Sequence, residues 1–241
     1  MRIYRVKNYH DLSLKAAEIV SEQVRIKPEC VLGLAAGSSP IGMYQQLIER
    51  YNKGELDFSK VKTVNLDEYC GLGIDSAQSY AYFMHRNLFD YINIKPGNIN
   101  IPDGKNPDAD AECTRYEKVI ESLGGVDIQL LGIGRNGHIG FNEPGSSFDS
   151  TTHCVDLSYS TIDANKRFFS SIDEVPRKAY TMGIKTIMNA RRILLIASGI
   201  HKAEAVYKAF CGPVTEQVPS SVLQHHQDVI LVADEEALSL V

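Results

Sequence analysis

VDIQLLGIGRNGHIGFNEPGSS, residues 126–147, decides how the rest of the chain is read. It begins as a short buried strand and runs into a loop where Gly132, Gly134, Gly137, Gly140 and Gly145 fall within fourteen residues. Arg135, Asn136, His138, Asn142 and Glu143 stand between those glycines. Glycine lets a backbone turn sharply and lets a ligand come close. A strand that delivers a histidine, a carboxylate and two amides onto such a turn is built for chemistry.

Outward from this stretch, strands and helices alternate. Arg2–Val6, Cys30–Ala36, Val61–Leu66, Ile193–Ala197 and Asp228–Ala233 read as strands. Leu12, Ala16, Ile19, Val20 and Val24 recur at helical spacing, with Pro28 as the stop. Pro40 is expected at the first position of a helix that reaches about Lys53 and ends at Gly54. Helices are also expected from about Ser79 to Tyr91, over Pro107–Leu123 on the surface, over Thr161–Phe169, and from Gly199 through Phe210. Asn98–Ile101 and Cys154–Leu157 read as extended, and a short helix is expected at the end. Leaving aside Arg2–Val6, and with the strand of the opening stretch, five buried strands separated by helices predict an α/β fold, with a parallel sheet covered by helices on both faces. With no linker or repeat visible, one domain is expected over 1–241, and its least regular part is Ser158–Pro176.

Composition narrows the function. Hydrophobic residues are 44% and charged residues 23% of 241, and the formal net charge is −5. That balance belongs to an ordinary soluble protein and argues against nucleic acid, which needs a basic face. Five cysteines at long spacings, with no CxxC, fit neither a zinc site nor a disulfide framework. Reduced thiols in a cytoplasmic protein are expected. The first residues, MRIYRVKNYHDL, show no apolar signal region. Apolar runs such as Ile193–Ala197 are far too short for a bilayer, so no membrane partner is expected.

Parallel sheets bind ligands beyond the carboxyl ends of their strands. The residues there are candidates. Gly37, Ser38 and Ser39 lead from a strand into a helix, so they either cradle a phosphate or simply cap that helix. Asp67 closes VNLD, where a carboxylate is either a desolvated base or a turn residue. His138 suits proton transfer near neutrality, and Glu143 could fix its tautomer; a structural histidine is the alternative. Lys202 and Arg167 could meet an anion or could be solvated. His225 and His226 read as surface, without metal spacing. The last strand end, Asp234, is less informative. No GxSxG elbow occurs and no nucleophile pairs with His138. The set suits proton movement on a phosphorylated small molecule, with no cofactor and no metal.

LGIGRNGHIGFNEPGSS, together with VNLDEY, SYAYFMHRNLF, DAECTRYE and ANKRFF, resembles the glucosamine-6-phosphate deaminase family over nearly the whole chain. The resemblance implies a modified doubly wound, Rossmann-like sheet. It implies conversion of glucosamine 6-phosphate and water to fructose 6-phosphate and ammonia, in amino-sugar catabolism. By the same resemblance, Asp67 would move the C2 proton to C1 through an enolamine. His138 would open the ring, and Glu143 would orient and charge-balance it. Gly37, Ser38, Ser39, Arg167 and Lys202 would hold the phosphate, with 158–176 as a lid. Many members of the family have an aspartate at the place of Asn136, which is taken here as part of the catalytic group. Longer members carry a C-terminal extension and are allosteric hexamers activated by N-acetylglucosamine 6-phosphate; basic positions of that site correspond to His153 and Val155. A non-allosteric monomer or small homo-oligomer is therefore expected. A 6-phosphogluconolactonase-like hydrolase and a non-catalytic sugar-phosphate sensor domain are the competing readings. The lactonase needs no C2 base, and the sensor would lose its proton-transfer residues.

Overall fold

Short runs of valine, isoleucine and leucine, buried on both faces, form the centre of the molecule. The computed structural model describes residues 1–157, 162, 166, 169 and 171–241. Strands β1 (Arg2–Val6), β2 (Val31–Leu34), β3 (Lys62–Asn65), β5 (Ile99–Asn100), β6 (Ile128–Leu131), β9 (Ile193–Ala197) and β10 (Val229–Asp234) form one sheet. Its order is β1-β10-β9-β6-β2-β3-β5, and every pairing is parallel. Every residue of β6, β9 and β10 is buried. Each fully buried Leu, Ile or Val contributes about 1.5–3 kcal/mol. Helices cover both faces, as the doubly wound reading requires.

Helix α1 (Tyr9–Ile26) is capped by the Asn8 side chain, which accepts from Asp11 N. Helix α2 (Ile41–Asn52) starts one residue later than expected, and Pro40 is its cap. Helix α3 (Tyr80–Asn87) is shorter than expected, because the backbone leaves helical geometry at Leu88 before a 3₁₀ turn over Phe89–Tyr91. Helix α4 (Ala109–Ser122) is polar outside, yet Glu112, Tyr116 and Ile120 are buried, so one face packs. After α5 (Ile184–Met188), the helix expected from Gly199 opens as a 3₁₀ turn, Ile200–Lys202, before α6 (Ala203–Cys211). The end of the chain forms hydrogen-bonded turns instead of a helix. The helix expected over 161–169 lies outside the described residues except at 162, 166 and 169.

A second sheet is the main departure from the sequence reading. Strands β4 (Asp67–Tyr69), β7 (His153–Asp156) and β8 (Lys178–Thr181) pair antiparallel in the order β4-β8-β7. The hinge between the sheets is Leu66. Its N–H donates to Leu34 O in the parallel sheet, and its carbonyl accepts from Met182 N just after β8, each at 2.8 Å. The chain thus changes sheets one residue before Asp67. A small core of Tyr69, Phe141, Leu157, Ile162, Val175 and Ala179 packs against the antiparallel strands.

Candidate active site

The strand order reverses between β2 and β6. An open cleft of about 1220 Å³ lies there, beyond the carboxyl ends of the strands. It is lined by Ser38 and Ser39 after β2, Asp67 after β3, the glycine loop after β6, and Ser198 and Lys202 after β9.

Asp67 enters this cleft from β4, in register with Thr181 of β8. Its carboxylate is only 7% exposed. It accepts no hydrogen bond from any described residue. Burial, and then the neighbouring Glu68 carboxylate, push its pKa up to about 8. A desolvated, unpartnered carboxylate is a strong base once ionised.

The glycine loop is tied to the same strand. Phe141 N donates to Thr181 Oγ1 at 3.1 Å, and Asn142 Nδ2 donates to Met182 O at 2.9 Å. Two glycines are required by geometry. A Cβ on Gly134 would lie 2.3 Å from the His138 ring, and a Cβ on Gly140, where φ is +60°, would lie 2.8 Å from Thr181 Oγ1. Asn136 uses both ends of its amide. Its Oδ1 accepts from His138 N at 3.2 Å, and its Nδ2 donates to Glu143 Oε2 at 2.6 Å. Glu143 Oε1 stands 3.5 Å from His138 Nδ1, an ion-pair approach longer than a hydrogen bond. Nδ1 is buried and has no hydrogen-bond partner among the described residues.

Between β2 and α2, Gly37 turns with φ +98°; Ser38 and Ser39 line the cleft and Gly37 does not. The Tyr9 hydroxyl accepts from Gly42 N at 2.9 Å and points to the carbonyls of Ser38 and Ser39, at 3.2 and 3.1 Å. The amides of Gly37, Ser38 and Ser39 donate to no described residue. Lys202 lines the same cleft as Ser38 and Ser39, its Nζ donating to Ile133 O at 2.5 Å. Burial, then the Arg135 charge, lower its pKa. The pKa of His201 is lowered by burial, then by Lys202 and Arg135. Cations gathered beside free amides make an anion site. Arg167 lies outside the described residues, as does most of the expected lid.

Several contributors escaped the sequence reading. Asp234 accepts from Ser198 Oγ at 2.5 Å and from Gly199 N at 3.0 Å, so it sets the turn that presents Lys202. His201, Arg135, Tyr9 and Tyr80 all line the cleft. The position of Asp234 at a strand's carboxyl end was the available signal. His226, read as surface, is half-buried, with Nε2 2.7 Å from Ala190 O.

Comparison with known proteins follows the same lines. The family described as glucosamine-6-phosphate isomerases/6-phosphogluconolactonase matches residues 7–232. A glucosamine-6-phosphate deaminase from Thermoanaerobacter sp. (strain X514) is 55% identical over 241 residues, covering 100% of this chain and 95% of that protein. One from Clostridium botulinum (strain Kyoto / Type A2) is 53% identical over 239 residues, covering 99% and 98%. A solved structure of a monomeric glucosamine-6-phosphate deaminase is 51% identical, with a TM-score of 0.97 and 100% of each chain covered. The 6-phosphogluconolactonase of Trypanosoma brucei, 18% identical with a TM-score of 0.80 over 100% of this chain and 98% of that one, shares the fold.

Proposed function

The chain belongs to the glucosamine-6-phosphate isomerase/6-phosphogluconolactonase family, and from that premise we propose how its cleft divides the work of a glucosamine-6-phosphate deaminase. The activity is that of the deaminase branch: glucosamine 6-phosphate and water give fructose 6-phosphate and ammonia. The lactonases are too distant to carry more than the fold.

The observation that carries the proposal is Asp67, buried and unpartnered in the cleft that also holds His138 and the amide turn. Ring opening and isomerisation need two proton-transfer groups facing different sugar atoms. His138 moves a proton between the anomeric hydroxyl and the ring oxygen. Glu143 balances the imidazolium, and Asn136 holds Glu143 in place. Asp67 takes the C2 proton and returns it at C1 through the enolamine. The resulting C2 imine is hydrolysed, releasing ammonia. Gly37, Ser38, Ser39, Lys202 and Arg167 bind the phosphate, far from the reacting carbons, so its binding energy orients the substrate. Residues 158–176 act as the lid. The chain works as a single domain and a monomer, in the cytoplasm, in amino-sugar catabolism. Among the described residues no helix is long and apolar enough to cross a membrane.

Ammonia release from glucosamine 6-phosphate by the purified protein tests the activity, and Asp67→Asn and His138→Gln test the roles. No ammonia from the wild type rejects the activity; full activity in either variant rejects that residue's part. Rate curves are expected to be hyperbolic and unchanged by N-acetylglucosamine 6-phosphate.

A further inference from the structure

Next to the base sits a second buried acid for which the reaction has no direct use. Glu68 is 1% exposed. Its Oε1 accepts from Tyr69 N at 2.8 Å and Tyr80 N at 2.9 Å, and its Oε2 accepts from Ala81 N at 2.8 Å. Tyr80 and Ala81 open helix α3, where free amides and the helix dipole favour an anion.

We propose that Glu68 is the positioning residue of Asp67: it fixes the frame around the base and holds a second carboxylate charge against it.

Three donors converge on Glu68 and no acceptor does, which suits a carboxylate and would waste the O–H of an acid. Burial raises its pKa, and those three amides pull it back, leaving it at about 7. The amides therefore bias the shared charge of the pair toward Glu68, leaving Asp67 as the group that takes up a proton. The frame is held as well. Tyr80, fixed by Glu68, lines the cleft, and its ring stacks on Phe141 of the glycine loop at 6.1 Å and 4°. Glu68 itself borders a separate cavity of about 490 Å³ and does not line the cleft. Successive residues of a strand face opposite ways, which is how one acid meets substrate and the other does not.

The groups around Asp67 leave Glu68 as its main charged neighbour. Tyr44 of α2, Tyr69 of β4, Tyr80 of α3 and Tyr116 of α4 feel its charge, and burial holds each of these phenols neutral. His138 and Glu143 stand in the same cleft on the glycine loop. Among the described residues, the charge that acts on Asp67 is that of Glu68. A like charge disfavours ionisation, so it makes Asp67 a stronger base.

The inference rests on Asp67 being the C2 base, so the test carries Asp67→Asn beside Glu68→Gln and Glu68→Asp. The measurement is kcat/KM for glucosamine 6-phosphate against pH, with folding checked by circular dichroism. Removing the charge lowers the proton affinity of Asp67, so in Glu68→Gln the acidic limb moves down by about one pH unit. Glu68→Asp, which keeps the charge, leaves the limb near its wild-type place. A folded Glu68→Gln with an unmoved limb and an inactive Asp67→Asn overturns the role of Glu68 alone. Full activity in Asp67→Asn overturns the base instead. If Glu68→Gln does not fold, ¹³C-carboxyl titration of the wild type decides. Glu68 is expected to ionise before Asp67, and an Asp67 that loses its proton first overturns the inference.

Discussion

Two buried aspartates mark opposite ends of the parallel sheet, and they are treated in opposite ways. Asp127 stands at the amino end of β6 and is 5% exposed; Asp67 stands beyond the carboxyl end of β3 and is 7% exposed. Asp127 accepts from Lys27 Nζ at 3.0 Å, Arg191 at 3.1 Å and Val31 N at 2.8 Å. Asp67 accepts nothing from the described residues. Burial alone therefore does not distinguish a working carboxylate from a structural one; the partners do. Asp127 is anchored by two cations and an amide. Asp67 is left wanting a proton, which suits the role of C2 base proposed for it.

The largest effect that could break this contrast is at Asp67 itself. Asp67→Asn should lower kcat/KM by about 10³-fold or more, the range expected for a lost general base. It should not weaken the fold. Asp67 has its folded pKa raised from 3.8 to about 8. Between those values the folded state holds a proton that the unfolded state has released, so wild-type stability falls as pH rises through this window. The variant lacks that loss. Its Tm should match or exceed wild type, with a gain that grows from about pH 4 to about pH 8 and is level above. A lower Tm at pH 9 would make Asp67 a structural residue.

Asp127→Asn should show the reverse. Losing the charge weakens its hydrogen bonds by about 2–3 kcal/mol, or about 5–10 °C in Tm at this chain length. The activity of the folded enzyme should stay within about twofold, because Asp127 lies at the opposite end of the sheet from the reacting carbons. Lys27→Met combined with Arg191→Met sharpens the point further. It strips Asp127 of both cations and leaves it the Val31 amide, so it should lower Tm as well. Adding Asp127→Asn to that pair should cost much less than Asp127→Asn does alone, because the bonds to the cations are already gone.

Legibility followed the same division. The parallel sheet could be read because β9 and β10 are largely apolar runs, and Asp67 could be read because it follows the buried residues Val64, Asn65 and Leu66 at the carboxyl end of β3. The antiparallel sheet could be read only in part, as the extended stretch Cys154–Leu157 that overlaps β7. DEY, HCVD and KAYT are three or four residues long and largely polar, and they pair through backbone bonds. Yet β8 joins the two pieces proposed to be catalytic, since Thr181 pairs with Asp67 and its Oγ1 accepts from Phe141 N. Glu68 was passed over for a similar reason. Two of its partners, the amides of residues 80 and 81, reach it only when α3 docks. Asp234 shapes the Lys202 turn across the sheet, 35 residues from Gly199. Sequence spacing marks where a side chain leaves a strand; it does not reveal which distant amides will meet it.

Glu143 gives the contrast its intermediate case and its smallest test. One oxygen receives the Asn136 amide at 2.6 Å, and the other faces His138 at 3.5 Å. An aspartate at 136 would set two carboxylates against each other at that short distance. It would replace a donor by an acceptor, and it would add negative charge beside the imidazole. The pair would then have to share a proton or move apart. The added charge favours the imidazolium, so in Asn136→Asp the limb set by ring opening should move to higher pH by about half a unit, with kcat changed less than about tenfold. An unshifted profile would mean that Asn136 serves only to hold the loop through His138 N. A loss as large as that of Asp67→Asn would mean that the amide bond to Glu143, and not the charge near His138, governs ring opening.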